Sequence, residues 1–189
     1  MPQGVESLAA RFEEMAAPLE RQVYFTCLHM MGKREDAEDA AQETMLRAFR
    51  KFDSFKGESL FSTWIYAVAV RVCLDAIKKR RETVSLDLLR EEGWNPASSE
   101  PDAFLQLEEK ERKRLLHQAI ARIPAEFRAP LVLVDLQQLS YQESARVMGI
   151  PLGTIKSRVS RARQALYRIL SESRELFLSP TSLNSKGGD

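Results

Sequence analysis

The sequence predicts an all-α protein: two small helical domains joined by a flexible linker, the C-terminal one a helix-turn-helix. Three observations carry that prediction. Apolar residues recur at three- and four-residue spacings over most of the chain, the pattern of amphipathic helices. Eight glycines and eight prolines in 189 residues leave long uninterrupted stretches, which favours helices over many short strands. Between the two helical blocks the periodicity is lost, and Asn95-Pro96-Ala97-Ser98-Ser99-Glu100-Pro101 has the composition of a linker. The domains are therefore expected at 1–81 and 104–176, joined by a linker at 82–103, with the two halves packing separately and a disordered tail at 177–189.

In the first half, Leu8, Phe12 and Met15 begin one apolar stripe, and Leu19, Val23, Cys27, Leu28 and Met31 continue it. Pro18 suits the first turn of a second helix, where a missing N–H costs nothing, and Gly32 suits its end. A helix over about 35–52 follows, with Ala37, Ala40, Ala41, Met45, Ala48, Phe49 and Phe52 on its apolar face. Its acids lie near the N-terminus and its bases near the C-terminus, as the helix dipole favours. Residues 53–59 read as a loop. A long helix over about 60–81 then carries Phe61, Ile65, Val68, Val72 and Ile77 and ends in Lys78-Lys79-Arg80-Arg81.

The second half opens with a helix reaching about Arg122. Pro124 starts the next helix, and Pro130 falls inside it, where it is expected to kink the chain. Ser140, with Glu143 three residues on, forms a capping box before a short helix in which Leu139, Ala145 and Met148 are expected to face inward. Gly149 breaks that helix, and Pro151 and Gly153-Thr154 open another with Ile155, Val159, Ala162 and Leu166 on its inner side. A short capped helix, a glycine turn and a basic second helix together make a helix-turn-helix. The outer side of the second helix presents Thr154, Lys156, Ser157, Arg158, Ser160, Arg161 and Arg163. Arginine can pair with both acceptors of a guanine edge, and Ser or Thr can meet phosphate or several bases.

Composition narrows the function further. With 44% hydrophobic and 29% charged residues the chain can bury a core and is not disordered overall. The net charge of +1 by itself implies no polyanionic partner. Its distribution does: the charged residues from Thr154 to Arg168 are all basic, whereas Glu82, Asp87, Glu91, Glu92, Glu100 and Asp102 make the linker acidic. Cys27 and Cys73 are expected to be buried structural thiols, and His29 and His117 lie far apart without ligand-spaced neighbours, so neither metal nor other cofactor is expected. No apolar run is long enough to span a bilayer, and the N-terminus has no secretory pattern, so a cytoplasmic protein without direct membrane insertion is expected. No phosphate-cradling glycine loop or nucleophile–base spacing is present, which argues against an enzyme, catalytic residues and a small-molecule substrate.

Over residues 24–170 the chain resembles the bacterial extracytoplasmic-function (ECF) sigma factors. Ile123-Pro124-Ala125-Glu126-Phe127-Arg128, Leu139-Ser140-Tyr141-Gln142-Glu143, Gly153-Thr154-Ile155-Lys156-Ser157-Arg158 and Arg161-Ala162-Arg163 are similar to sigma region 4. The resemblance implies that this part reads the promoter −35 element. Asp36-Ala37-Glu38-Asp39-Ala40-Ala41-Gln42-Glu43-Thr44 is similar to region 2.2, which implies docking on core RNA polymerase through Asp36, Asp39, Gln42 and Glu43. Phe55-Lys56-Gly57-Glu58 with Phe61-Ser62-Thr63-Trp64-Ile65-Tyr66 is similar to the part that captures the −10 element. Phe55, Trp64 and Tyr66 would then stack or pocket an unpaired base, although core packing accounts for Trp64 equally well and Tyr66 can also be an ordinary core residue. Lys78, Lys79, Arg80 and Arg81 would hold phosphates near that strand, with Lys56 beside it, and Arg71 would change the base preference or contact phosphate.

Two positions depart from the family pattern. Arg71 stands where the −10 helix commonly has Asn, and Ser144 replaces a usual isoleucine, which is expected to loosen packing. The resemblance implies a promoter-specificity factor with core RNA polymerase, promoter DNA and an anti-sigma factor as partners. A stand-alone regulator would share the helix-turn-helix but would need neither the acidic helix nor the aromatic stretch.

Overall fold

The computed structural model describes residues 3–84 and 105–178. The expected linker from residue 85 on, the tail beyond residue 178 and the Arg81 side chain lie outside what it describes. Among the described residues every regular element is helical, in the order α1 (Gln3–Ala16), a 3₁₀ turn (Ala17–Leu19), α2 (Glu20–Met31), α3 (Arg34–Arg50), a second 3₁₀ turn (Phe52–Ser54) and α4 (Phe61–Val84). The C-terminal half adds α5 (Leu105–Ala121), α6 (Ala125–Leu131), a π-helical turn (Val132–Leu136), α7 (Tyr141–Met148) and α8 (Leu152–Leu178).

Local chemistry sets several boundaries. Gly32 caps α2 at φ 76°, a left-handed conformation in which its N–H reaches the Leu28 carbonyl at 2.9 Å. Pro18 lies in the 3₁₀ turn between α1 and α2, so the break falls where a backbone donor is absent. Pro124 is the N-cap of α6. The disturbance expected at Pro130 takes the form of the π-helical turn just after it, where the Gln137 N–H bonds the Val132 carbonyl at 2.9 Å, a five-residue step.

α4 packs against α2 and α3 of its own half and against α6 and α7 of the other. Its buried residues, Phe61, Ile65, Tyr66, Ala69, Val70, Val72 and Cys73, therefore occupy two adjoining faces rather than one stripe. They join Val23, Cys27 and Met30 of α2 and Ala37, Ala40 and Ala48 of α3.

The expectation that the halves pack separately is corrected here. The same cluster includes Ile120, Ala129, Val132, Leu133, Leu139 and Val147 from the C-terminal half. The halves approach closely at Gly32, where a Cβ would stand 2.8 Å from the Ala121 Cβ. Nearby, the His29 and His117 rings lie 4.3 Å apart, so two histidines remote in sequence meet across the boundary. Burial, reinforced by the His29 ring, pushes the His117 pKa down to about 4 against a hydrogen bond to the Leu28 backbone. Burial also lowers that of His29.

Cys27 and Cys73 are both fully buried, as expected, and they interact with each other across α2 and α4. Contact with Cys27 and burial push the Cys73 thiol up, which keeps it protonated and unreactive. Among the described residues no cluster of His, Cys, Asp and Glu has the makings of a metal site.

The second half buries Ile155, Val159 and Ala162 of α8 completely, together with Ala119, Ile123, Leu131 and Ile169. Within α7 the inward residues are Ser144 and Val147, whereas Ala145 and Met148, expected to face inward, are only half-buried. The Ser144 hydroxyl is fully buried and has no hydrogen-bond partner among the described residues. A desolvated, unpaired hydroxyl opposes folding. Ser144→Ala should therefore raise unfolding stability by about 1 kcal/mol, read as a higher urea midpoint at unchanged slope. A lower midpoint would mean that the hydroxyl is paired in solution.

Candidate nucleic-acid interface

The helix-turn-helix is assembled from α7 and α8. Ser140 Oγ accepts from the Glu143 N–H at 3.1 Å, and Glu143 Oε2 accepts from the Ser140 N–H at 2.8 Å, completing the capping box. The Ser140 hydroxyl also donates to Glu143 Oε2 at 2.7 Å, and that bond, then the one from the Ser140 N–H, with smaller help from Arg146, lowers the Glu143 pKa. Gly149 turns the chain at φ 65°, and the Ile150 N–H returns to the Ala145 carbonyl at 3.2 Å. Pro151 then accepts from the N–H groups of Thr154 and Ile155, at 2.9 and 3.1 Å, which starts α8.

With Ile155, Val159 and Ala162 turned inward, α8 leaves Lys156, Ser157, Ser160 and Arg161 exposed, and Thr154 and Arg158 half-buried. Ser157 donates to the Thr154 carbonyl at 3.0 Å, which holds its side chain close to the helix. Arg163 departs from the expected reading set. Its guanidinium makes two bonds to Asp135, Nε to Oδ2 at 2.9 Å and Nη2 to Oδ1 at 2.5 Å. That fork occupies the donors that a base or phosphate contact would use.

In the first half, Phe55 and Trp64 are half-buried and close an aromatic cluster with Phe52 and Phe61. Phe55 lies 5.4 Å from both Phe61 and Trp64, and Phe61 lies 5.5 Å from Trp64. Ser54, Phe55, Lys56, Glu58, Ser59 and Trp64 line a hollow of about 330 Å³. Ser54 and Ser59 escaped the sequence reading. Their position beside the aromatics in the 53–59 loop was the available signal, but loop closure is what sets them, still exposed, at the edge of the hollow.

Tyr66, expected to stack on a base, is instead 6% exposed and packed in the core. It follows Ile65 on the second buried face of α4, which a single-stripe helix pattern does not anticipate. Lys56, Arg71, Lys78 and Lys79 are exposed around the loop and along α4.

α3 and α4 form a second concave surface of about 320 Å³, lined by Asp36, Asp39, Glu43, Asp75 and Lys79 among others. Asp39 and Gln42 are exposed on α3. Asp36 and Glu43 are half-buried and tie the helices: Arg80 bonds Asp36, and Arg47 bonds both Glu43, at 2.6 Å, and Asp75, at 3.0 Å. These two acids therefore shape the surface, whereas Asp39 is exposed within it and Gln42 is exposed on α3 outside it.

A larger cleft of about 750 Å³ separates α4 from α7, with Trp64, Val68 and Arg71 on one wall and Glu143, Arg146 and Val147 on the other. Thr63 of α4 and Glu143 of α7 both line this cleft, and Thr63 is near enough to help lower the Glu143 pKa. Arg146 was also missed, because only the packing of α7 on α4 brings it to this cleft, and so was Lys51, which reaches it from the end of α3.

The two halves match different family models. Residues 15–83 match Sigma-70 region 2, and residues 113–166 match Sigma-70, region 4. Over 159 residues, 79% of this chain and 83% of the relative, the sequence is 33% identical to the ECF RNA polymerase sigma factor SigW of Bacillus subtilis (strain 168). The chain belongs to the ECF sigma factors.

This sigma factor is also 33% identical to the ECF RNA polymerase sigma-E factor of Escherichia coli (strain K12), over 69% of its own length and 72% of the relative's. Among solved structures it is similar to the sigma factor RpoE in complex with the anti-sigma factor NepR from Bartonella quintana. The TM-score is 0.72 at 25% identity, over 85% of this chain and 97% of that one. It shares a fold with CnrH in complex with the cytosolic domain of CnrY, at TM-score 0.61 and 19% identity, over 90% of this chain and 94% of that one. The region 2 match runs from the end of α1 into α4, and the region 4 match from within α5 to within α8. No helix among the described residues is long and apolar enough to cross a membrane.

Proposed function

We propose that this sigma factor recruits core RNA polymerase through the acidic concave face of α3, reads the −35 duplex with α8 and holds the opened −10 strand at the loop before α4. The domains doing so are 1–81 and 104–176, tethered by 82–103. The observation that carries the reading is the joint presence, on one chain, of an exposed Lys156-Ser157-Ser160-Arg161 surface and an aromatic hollow at Phe55 and Trp64. A duplex reader needs the first, and a strand that has left its duplex needs the second.

Asp39 and Gln42 make the direct contacts to core, with Asp36 and Glu43 holding α3 in place. Phe55 and Trp64 border the base, and Lys56, Arg71, Lys78 and Lys79 neutralise phosphates around it. Engagement of both promoter elements requires α7 to leave α4, because α7 walls the cleft that contains Trp64 and Arg71.

The protein acts in the cytoplasm by binding rather than catalysis, with no small-molecule substrate. The similar sigma factor RpoE of Bartonella quintana is in complex with the anti-sigma factor NepR, and this chain takes an anti-sigma partner in the same manner.

Mixing the purified chain with core polymerase should yield a stable complex that selects its promoter over scrambled duplex. A chain that binds promoter DNA but ignores core is a stand-alone regulator. Within the complex, Arg161→Ala should cost on the order of 1–3 kcal/mol of −35 affinity and relax discrimination at one base pair, as loss of a bidentate base contact does. Discrimination unchanged at every −35 position would remove Arg161 from the reading set.

A further inference from the structure

Arg163 is the residue of α8 whose chemistry the promoter reading does not absorb. Helical spacing puts Lys156, Ser160 and Arg163 on one stripe and Ser157 and Arg161 on the next. Arg163 ends its stripe three turns into the helix, over the turn that contains Asp135.

That turn is well anchored. Val132 and Leu133 are fully buried, the Gln137 N–H bonds the Val132 carbonyl at 2.9 Å, and the Leu139 N–H bonds the Leu133 carbonyl at 3.0 Å. Gln138 closes it at φ 60°, a left-handed conformation that is costly for a residue with a Cβ and persists only where surroundings enforce it. Asp135 is therefore fixed in space, and its carboxylate takes both arms of the Arg163 guanidinium. Tyr141, the first residue of α7, lies near enough to the same guanidinium to help raise its pKa, after the larger effect of Asp135. One side chain of the recognition helix is thus tied to the π-helical turn, beside the start of the other helix of the motif.

We propose that Asp135 and Arg163 form a brace that sets the angle of α8 against α7, so that Arg163 is a positioning residue for −35 recognition and not a DNA contact. The inference rests on the promoter reading above and deepens it: the bases are read by Lys156, Ser157, Ser160 and Arg161, and the brace aims them. A planar fork is required, because a bidentate pair fixes direction whereas a point charge does not.

The test uses the complex of the full chain with core polymerase and compares −35 promoter duplex with a scrambled −35. The two roles of Arg163 predict opposite signs at Asp135. For a brace, Asp135→Asn, Arg163→Gln and Arg163→Lys each reduce −35 discrimination by about fivefold, the size expected for one partly exposed ion pair. The double variant Asp135→Asn with Arg163→Gln is then no worse than either single one. The salt dependence of binding keeps its slope, since no phosphate contact is lost.

For a DNA contact, Asp135→Asn tightens binding by removing an acid beside the DNA, Arg163→Lys retains most of the affinity, and Arg163→Gln lowers the salt slope by about one. That pattern overturns the proposal. Helical content and core affinity, measured for every variant, separate misaiming from unfolding: a loss of discrimination accompanied by loss of helix also counts against a positioning role. If the wild-type complex fails to distinguish the two duplexes, the promoter reading itself falls, and the brace with it.

Discussion

Gly32→Ala should destabilise the protein by about 3 kcal/mol, the sum of a left-handed backbone penalty and an overpacked contact. Gly32 stands at φ 76°, and an added Cβ meets the Ala121 Cβ at 2.8 Å. Neither partner is the far end of a flexible side chain, so relief requires α2 and α5 to move apart. Gly57 provides the control. It has φ 73° with open space around a Cβ, so Gly57→Ala should lose only the conformational part, about 1 kcal/mol. The difference between the two urea midpoints isolates the contact between halves. Equal losses would mean that α2 and α5 do not touch in solution.

Acid should weaken the same contact. The folded His117 pKa is depressed to about 4, first by burial and then by His29. For a histidine with a depressed pKa, the neutral ring stabilises the folded arrangement above its unfolded pKa near 6.5, and that stabilisation is lost as pH falls toward the folded value. The span from about 6.5 to about 4 corresponds to roughly 3 kcal/mol. Carboxylates titrate near the low end of this window in any protein, so the informative quantity is a difference. The stability of wild type should fall between pH 7 and pH 4.5 more steeply than that of His117→Gln. Parallel curves would show that His117 is not buried against His29 in solution.

Both predictions concern the boundary between the halves, which is also where reading the sequence stopped short. Local rules reached the Gly32 cap, the Ser140–Glu143 capping box, the Gly149 turn and the inward Ile155, Val159 and Ala162, because each depends on neighbours within one or two helical turns. Pairings across tens of residues leave no periodic trace. His29 and His117 lacked sequence neighbours and still meet with their rings tilted, and Asp135 gave no sign that it would pair with Arg163. Tyr66 failed for a related reason. A helix covered on two flanks has two apolar faces, and nothing in the residues of α4 alone says how many partners will cover it.

The aromatic loop was legible only in part. Phe55 and Trp64 carry a clear resemblance, and the structure gathers them with Phe52 and Phe61 into the wall of a hollow. The serines that complete the hollow are ordinary loop residues in sequence, and their role comes from closure of the chain between α3 and α4. In α3 the acids lie close together in sequence, but sequence alone does not show that Asp36 and Glu43 are held by Arg80 and Arg47 while Asp39 is exposed.

The most direct single measurement is run-off transcription by purified core polymerase on a duplex template carrying the cognate promoter, with and without the full chain. The expected result is a transcript of defined start that appears only when the chain is present and disappears when the −10 or the −35 element is scrambled. A transcript independent of the chain, or none in its presence, would contradict the assignment of α3, the Phe55–Trp64 hollow and α8 to one promoter-opening complex.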